Sequence, residues 1–180
     1  MARDEKPDAN VITVDGRKFL QFVRYIDRPV EKIWTALTVP ERVEDWLGKA
    51  EIEPKVGGSY NIVFGDDGST AIGVILAFDP PKRLAFTWGG QPDPEQPGVV
   101  FGLEPEGSGC RLTLTTTFPE DHGGDVAEAV ATWHEFLLAI PYAVDGIRLD
   151  WDEPRKARRQ SLIPPYREML AAADISSAPE

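Results

Sequence analysis

The sequence predicts an α+β protein in which a curved antiparallel sheet of about six or seven strands wraps around one long C-terminal helix. The longest helix-like run covers residues 125–147, where apolar residues recur three or four positions apart and therefore share one face. Several segments between residues 18 and 118 instead alternate with a period of two, which is typical of strands. Two short helical patterns lie between the first long strand and the remaining strands.

The N-terminal part of the chain predicts an arm, two strands and two helices. Residues 1–10 are charged and contain Pro7, so we expect a mobile N-terminal arm. Residues 11–14 suit an edge strand, and residues 18–26 are rich in aromatic and β-branched side chains, which predicts the first long strand. Helical spacing follows at residues 30–37, after Pro29, and a second short helix is expected after a capping-box pattern that begins at Thr38.

The middle of the chain predicts the rest of the sheet. We expect strands over residues 49–54, 59–64, 70–78, 83–88, 99–103 and 110–118. Residues 89–97 contain three prolines and are expected to form a loop. In the last strand apolar residues alternate with threonines, which predicts a sheet with one buried face and one face in water.

The C-terminal part begins with the long helix. Its apolar stripe comprises Val126, Val130, Trp133, Leu137, Ile140 and Val144. Pro141 lies inside this run, where proline costs about 3 kcal/mol, so we expect a kink or break near residues 137–141. After Gly146 the helical periodicity is weaker. A basic run at residues 155–159 follows, then two prolines, and we expect a short helix around residues 166–173. We therefore predict one domain over residues 11–147 and a C-terminal extension over residues 148–180.

Composition excludes several classes of function. The chain has 180 residues, 42% of them hydrophobic and 27% charged, as in an ordinary soluble protein. Its net charge of −11 argues against nucleic acid or an anionic membrane as a partner. The single Cys110 excludes an internal disulfide, the N-terminus is unlike a secretory signal, and no apolar stretch approaches the roughly 20 residues that span a bilayer. We expect a cytoplasmic protein.

Several local motifs resemble one superfamily. Residues 24–37, 56–60 and 79–84, the last followed by Thr87-Trp88, are similar to the START-like (SRPBCC) superfamily, and within it to the family related to the C-terminal domain of the activator of the Hsp90 ATPase. Residues 100–107, residues 111–114 and Trp133 continue the match, which covers residues 18–147. The resemblance implies the helix-grip fold, as in the birch-pollen allergen, with an apolar cavity between helix and sheet. Roles in the superfamily range from lipid or polyketide binding to cyclisation and hydrolysis, so the fold alone does not choose a function.

Large apolar side chains are the candidates for lining this implied cavity. A wall of aromatic rings would stack on a flat or apolar ligand, and the alternative for each residue is ordinary core packing. The candidate ligand-binding residues are Trp46, Phe64, Phe86, Trp88, Phe101, Trp133, Phe136 and Leu137.

Polar candidates for chemistry are few. His134 on the long helix has no carboxylate beside it in the sequence, so we expect a histidine at the surface or cavity rim rather than a general base. Arg24 lies within an apolar strand; it could hold a ligand carboxylate, although a salt bridge to an acidic neighbour is favoured. Cys110 has neither a base nor a cationic pocket in its sequence surroundings to make it a nucleophile.

Cofactor and metal motifs give no positive prediction. His122 and His134, with Asp121 and Asp125, lack a recognisable metal-ligand spacing. The pair Gly57-Gly58 lacks the lysine and the following helix of a phosphate loop. We therefore expect no metal and no cofactor.

The sequence favours a protein that binds a small hydrophobic molecule between the long helix and the sheet. One alternative is a cyclase or hydrolase acting on an aromatic or polyketide-like substrate, which needs two polar side chains inside the cavity; only His134 and Arg24 are available. Another is a co-chaperone-like interaction module that uses the outer sheet face or the basic run, which otherwise forms a solvated helix face. We also expect a homodimer, because the tail with Trp151 has no obvious place in the core.

Overall fold

The computed structural model describes residues 6–65, 68–89, 96–118 and 125–173, which contain nine strands and four helices. The strands are β1 (Asn10–Val14), β2 (Arg17–Ile26), β3 (Lys49–Ile52), β4 (Tyr60–Val63), β5 (Thr70–Ala71), β6 (Ile75–Asp79), β7 (Arg83–Phe86), β8 (Val99–Glu106) and β9 (Gly109–Thr116). The helices are α1 (Val30–Thr38), α2 (Pro40–Val43), α3 (Val126–Val144) and α4 (Glu153–Ala172).

The strands form two antiparallel sheets. The larger has the order β1-β2-β9-β8-β7-β6, and the smaller has the order β3-β4-β5. Apolar residues on one face of the larger sheet, such as Phe22 and Leu114, are fully buried in the same core as Val130 and Ile140 of α3. The predicted α+β arrangement of a strand, two short helices, antiparallel strands and a long helix is therefore confirmed.

The single strand predicted over residues 70–78 is wrong. The chain leaves β5 in the smaller sheet and enters β6 in the larger one. Gly73 lies at this crossing, where the backbone is so close to its neighbours that a Cβ would be 2.3 Å from the carbonyl oxygen of Thr87 and 3.0 Å from that of Tyr60. A residue without a side chain is needed here, because two other strands approach the same point.

The N-termini of helices α3 and α2 differ in whether a side chain caps them. The carboxylate of Asp125 accepts a hydrogen bond from the backbone N–H of Ala127 at 2.9 Å, which caps α3. The predicted capping box before α2 is wrong. The hydroxyl of Thr38 instead donates to the carbonyl oxygen of Trp34 at 2.8 Å, and Val39 precedes the helix without a side-chain cap.

A break at Pro141 and a short helix after Pro165 are not observed. α3 continues through Pro141 to Val144, and α4 is a 20-residue helix that passes through Pro164 and Pro165; a kink at Pro141 remains a prediction. In both helices the residues around the prolines are held by the core. Ala139, Ile140 and Ala143 are buried in α3, as are Leu162, Ile163, Tyr166 and Leu170 in α4. Tertiary packing therefore outweighs the local cost of proline.

Both ends of the described chain are packed more closely than the sequence indicates. Within the expected mobile arm, Ala9 is only 6% exposed and the carboxylate of Asp8 lies 2.7 Å from Nη1 of Arg24; residues 1–5 lie outside the described residues. The C-terminal tail does pack in the core, because α4 packs against α3. The homodimer remains a prediction, but the reason for expecting it, an unpacked tail, is not observed.

Within residues 6–65, 68–89, 96–118 and 125–173, no helix combines the length and the apolar character needed to cross a bilayer. The cytoplasmic location remains a prediction from composition.

Candidate functional site

A cavity of about 670 Å³ lies between α3, the start of α4 and the ends of β4 and β7. Its volume falls in the usual range for sites that bind small molecules. Aromatic residues make up much of its lining, and charged residues from α4 and from the segments around α2 and before α4 lie at its rim. The aromatic residues are Trp46, Phe64, Trp88, Trp133, Phe136 and Trp151.

Five of these residues form a continuous surface that we call the aromatic wall: Phe64, Trp88, Trp133, Phe136 and Trp151. The rings of Trp88 and Trp133 have centroids 5.3 Å apart. The ring of Phe136 stacks on Phe64 at 6.0 Å and lies 5.9 Å from Trp151. Trp133 is buried, but the other four are only half-buried, so apolar ring surface faces the cavity.

Local structure explains how these rings meet. Trp133 and Phe136 are three residues apart on α3 and therefore share a face of that helix. Phe64 directly follows β4, and Trp88 comes two residues after β7. Trp151 immediately precedes Asp152, whose carboxylate accepts a hydrogen bond from the N–H of Arg155 and caps α4. The start of α4 thereby holds Trp151 against α3.

Of the eight residues proposed from the sequence, five line the cavity: Trp46, Phe64, Trp88, Trp133 and Phe136. Phe86, Phe101 and Leu137 do not line it and are at most 1% exposed. The space in front of Phe86 is filled by Tyr60, whose ring stacks on it at 4.0 Å, and Phe101 packs at 6.2 Å against Trp46. For these three residues the alternative of core packing is the one observed.

A hydrogen bond from the indole N–H holds the side chain of Trp46 in place. Its indole N–H donates to the carbonyl oxygen of Ala36 at 2.8 Å, and its side chain is 3% exposed. A buried indole whose N–H has a partner can present its apolar ring without an unpaired donor. Trp46 is therefore a rigid part of the cavity lining.

The rim of the cavity carries charges of both signs. Four cations line it: Arg148, Arg155, Lys156 and Arg159. Three carboxylates also line it: Glu44, Asp45 and Asp150. None of these residues was predicted to border a site, because most of them belong to the C-terminal extension, whose position in the fold was not predicted.

A buried ion cluster attaches α4 to α3. Glu135 is completely buried; its carboxylate accepts a hydrogen bond from Arg158 at 2.8 Å and lies 3.4 Å from Nε of Arg155. Desolvation lowers the pKa of the Arg155 guanidinium from its ordinary value, although the charge of Glu135 opposes this. The guanidinium of Arg155 also lies 4.6 Å from the ring of Trp151. The prediction that this basic run is a solvated helix face is therefore wrong for Arg155.

His134 and Arg24 belong to a second polar network, outside the cavity lining. His134 is completely buried, with Nδ1 2.7 Å from the hydroxyl of Tyr166 and 3.3 Å from a carboxylate oxygen of Asp8. Desolvation raises the pKa of Tyr166 above its ordinary value. The expectation of a surface or rim histidine is wrong, because the N-terminal segment supplies a carboxylate that local sequence could not show. The expected salt bridge of Arg24 is confirmed, with Asp8 at 2.7 Å.

Other candidates have no part in the cavity. Burial raises the pKa of the Cys110 thiol, and Cys110 is fully buried in the core. In the part of the chain that the structure describes, no group of three or more His, Cys, Asp or Glu side chains could hold a metal ion. His122 and Asp121 lie outside the described residues.

One signal for the missed residues was present in the sequence. Trp151, Arg155 and Arg159 are four residues apart, and the spacing continues to the buried Ile163 and Tyr166. This is the pattern of one helix face against a core. Pro164 and Pro165 interrupt it, which concealed the long helix.

Comparison with known proteins identifies relatives. The family described as activator of Hsp90 ATPase homolog 1-like protein matches residues 27–143. No curated protein matches the chain. Among solved structures, the chain is similar to protein MLL2253 from Mesorhizobium loti, with 32% identity, 73% of this chain and 99% of that protein covered, and a TM-score of 0.61.

Two further solved structures are similar. DynU16, described as a protein in the dynemicin biosynthetic locus, is 28% identical over 75% of this chain and 51% of that protein, with a TM-score of 0.63. EF2215 from Enterococcus faecalis is 19% identical over 91% of both chains, with a TM-score of 0.72, and supports the fold alone. Together with the element order, these structures confirm the predicted helix-grip fold.

Proposed function

We propose that this chain, which belongs to the family of activator of Hsp90 ATPase homolog 1-like proteins, binds a small apolar molecule with at least one ring in the cavity between α3, α4 and the sheet. The observation that carries the proposal is the aromatic wall. Its rings pack edge to face and stacked on one another, while four of the five remain half-buried beside a space of about 670 Å³.

The physical argument rests on exposed apolar surface. Covering apolar area contributes about 25 cal/mol per Å², and stacking between aromatic rings contributes about 0.5–1.5 kcal/mol more for each pair. A flat ligand against Trp88, Trp133 and Phe136 would gain both contributions.

An enzyme of the same fold is less well supported. Catalysis on an aromatic or polyketide-like substrate needs polar groups that converge on the reacting atoms. His134 and Arg24, the two candidates from the sequence, lie in the separate network with Asp8. DynU16 is a relative from a biosynthetic locus, and this supports a small organic molecule as the kind of ligand.

A co-chaperone-like interaction through the basic run is also less well supported. Arg155 and Arg158 pair with Glu135, and Arg159 donates to Thr132 at 2.7 Å. These contacts hold α4 to α3 and leave fewer cations available for a protein partner.

The test is titration with phenylnaphthylamine, an uncharged aromatic dye whose fluorescence rises in apolar surroundings. Phe136→Ala removes part of the wall and is expected to weaken binding about tenfold, since losing about 1.4 kcal/mol of contact is a tenfold change. The matched control is Phe78→Ala. Phe78 is also half-buried, but it packs against Trp34 and does not line the cavity.

Circular dichroism should show that both variants are folded. Equal dye affinity for the unaltered protein, Phe136→Ala and Phe78→Ala would contradict the proposal, as would the absence of binding to the unaltered protein.

A further inference from the structure

We infer that the ligand of this cavity carries an anionic group beside its ring, and that Arg159 and Lys156 of α4 bind this group. The inference rests on the proposed function. It concerns the chemical class of the ligand, and the residues that determine it lie outside residues 27–143, the segment that matches the family.

The aromatic and cationic parts of the cavity have different origins. Five of the six aromatic lining residues, Trp46, Phe64, Trp88, Trp133 and Phe136, lie within residues 27–143, the segment that matches the family, and Trp151 lies beyond it. The four cations lie beyond it: Arg148, Arg155, Lys156 and Arg159. The C-terminal extension thus supplies all four cations of the lining, together with Trp151.

Two of these cations already have close partners. Arg155 is 8% exposed and donates to the backbone carbonyls of Glu135 and Leu149, each at 3.0 Å, in addition to its ion pair with Glu135. Arg148 lies 3.1 Å from Glu44. Arg155 therefore holds α4 to α3 beside the cavity, whereas Arg148, which is 53% exposed, forms a surface ion pair that contributes little.

Arg159 is oriented but is not neutralised at close range. Its Nε donates to the hydroxyl of Thr132 at 2.7 Å, and that hydroxyl donates to the carbonyl oxygen of Glu128 at 2.8 Å. Among the described residues, the nearest carboxylate to Arg159 is that of Glu128, 3.8 Å away and beyond hydrogen-bonding distance. A guanidinium fixed through Nε keeps its terminal N–H groups for a planar anion, which it binds in a bidentate manner.

Lys156 lies one turn before Arg159 and lines the same cavity. Its ammonium group is 3.3 Å from Glu153, but Glu153 is 89% exposed, and such surface pairs contribute little. The ammonium can therefore turn toward an anion held by Arg159 without losing a strong interaction.

The position of these cations fits a ligand on the aromatic wall. Thr132, which orients Arg159, lines the same cavity as Trp133. An anion at Arg159 would therefore lie beside the ring system that stacks on Trp133. Glu44 and Asp45 also line the cavity, and their negative charges are paired with Arg148 and Arg42.

The experiment compares two dyes that differ in one group: anilinonaphthalene sulfonate and its uncharged counterpart, phenylnaphthylamine. Arg159→Gln should weaken sulfonate dye binding about tenfold, and Lys156→Gln should weaken it about threefold, because bonds to charged groups are the stronger ones. Both variants should leave the affinity for the uncharged dye within about twofold. Arg159→Lys, which keeps the charge but loses the planar fork, should fall between Arg159→Gln and the unaltered protein.

Arg167→Gln is the matched control on the same helix. Arg167 pairs with Asp125 at 2.6 Å and does not line the cavity, so its loss changes the net charge equally but should leave both affinities unchanged. Added salt should weaken binding of the sulfonate dye and not that of the uncharged dye.

The outcomes separate this inference from the proposed function. If the uncharged dye binds but the sulfonate dye binds equally well to the unaltered protein, Arg159→Gln and Lys156→Gln, the inference is overturned and the proposed function stands. The same holds if Arg167→Gln weakens the sulfonate dye as much as Arg159→Gln does. If neither dye binds the unaltered protein, both are overturned.

Discussion

The buried carboxylate of Glu135 on α3 accepts a hydrogen bond from Nη2 of Arg158 on α4 at 2.8 Å. Nε of Arg155 lies 3.4 Å from the same carboxylate oxygen. Since Arg155 also contacts Trp151, this ion cluster determines where the C-terminal extension meets the cavity.

Glu135→Gln should lower the free energy of unfolding by about 3 kcal/mol, because it leaves two arginines, one of them buried, without their carboxylate. Urea unfolding at neutral pH measures the change. Glu153→Gln is the control, since Glu153 is 89% exposed and its pair with Lys156 should contribute less than about 1 kcal/mol. Equal stability of the two variants would show that the cluster does not anchor α4.

Gly73→Ala should lower the free energy of unfolding by more than about 2 kcal/mol. The added Cβ would be 2.3 Å from a backbone oxygen of Thr87, so the crossing between the two sheets must shift. Gly102→Ala in β8 is the matched control, because a Cβ there has no neighbour within 4 Å. A thermal unfolding midpoint for Gly73→Ala equal to that of Gly102→Ala would contradict the close approach.

The free energy of unfolding should decrease at acid pH, in part because Asp125 at the N-terminus of α3 loses its charge. Desolvation acts to raise the pKa of Asp125, but the hydrogen bond from Arg167, the N–H of Ala127 and the charge of Arg167 together hold that pKa below its ordinary value. A lowered pKa contributes stability that is present above the unfolded pKa of about 3.9 and is lost as the pH falls through the folded value.

Asp125→Asn keeps a capping side chain but removes the charge. Urea midpoints between about pH 6 and about pH 3 should therefore decline less steeply in Asp125→Asn than in the unaltered protein. Asp150→Asn, at a carboxylate that is 88% exposed, is the control. Identical declines in Asp125→Asn and the unaltered protein would contradict the stabilising pair with Arg167.

Periodicity in the sequence was sufficient to predict the main helices and strands. The spacing of Val130, Trp133 and Ile140 predicted the long helix, and alternation around Leu114 predicted a strand with one buried face; both are confirmed. Such patterns report which face of an element is apolar. Five of the eight residues proposed to line a cavity do line it, because aromatic residues near the ends of β4 and β7 and at the middle of α3 must meet there.

The remaining features depend on contacts between distant parts of the chain. The carboxylate that reaches His134 comes from Asp8, and the partner of Glu135 comes from α4, so no local pattern could show either pairing. Pro164 and Pro165 hid α4 because their local cost is visible in the sequence, whereas the burial of Leu162 and Leu170 that offsets it is not. The charged rim was missed for the same reason.

The most direct test of ligand binding in the cavity uses the indole N–H signals of the five tryptophans in a ¹H–¹⁵N spectrum. Four tryptophans line the cavity, whereas Trp34 packs against Phe78 away from it. Adding phenylnaphthylamine should shift the signals of Trp88, Trp133 and Trp151 and leave that of Trp34 in place. A shift confined to Trp34, or no shift at saturating dye, would contradict binding at the aromatic wall.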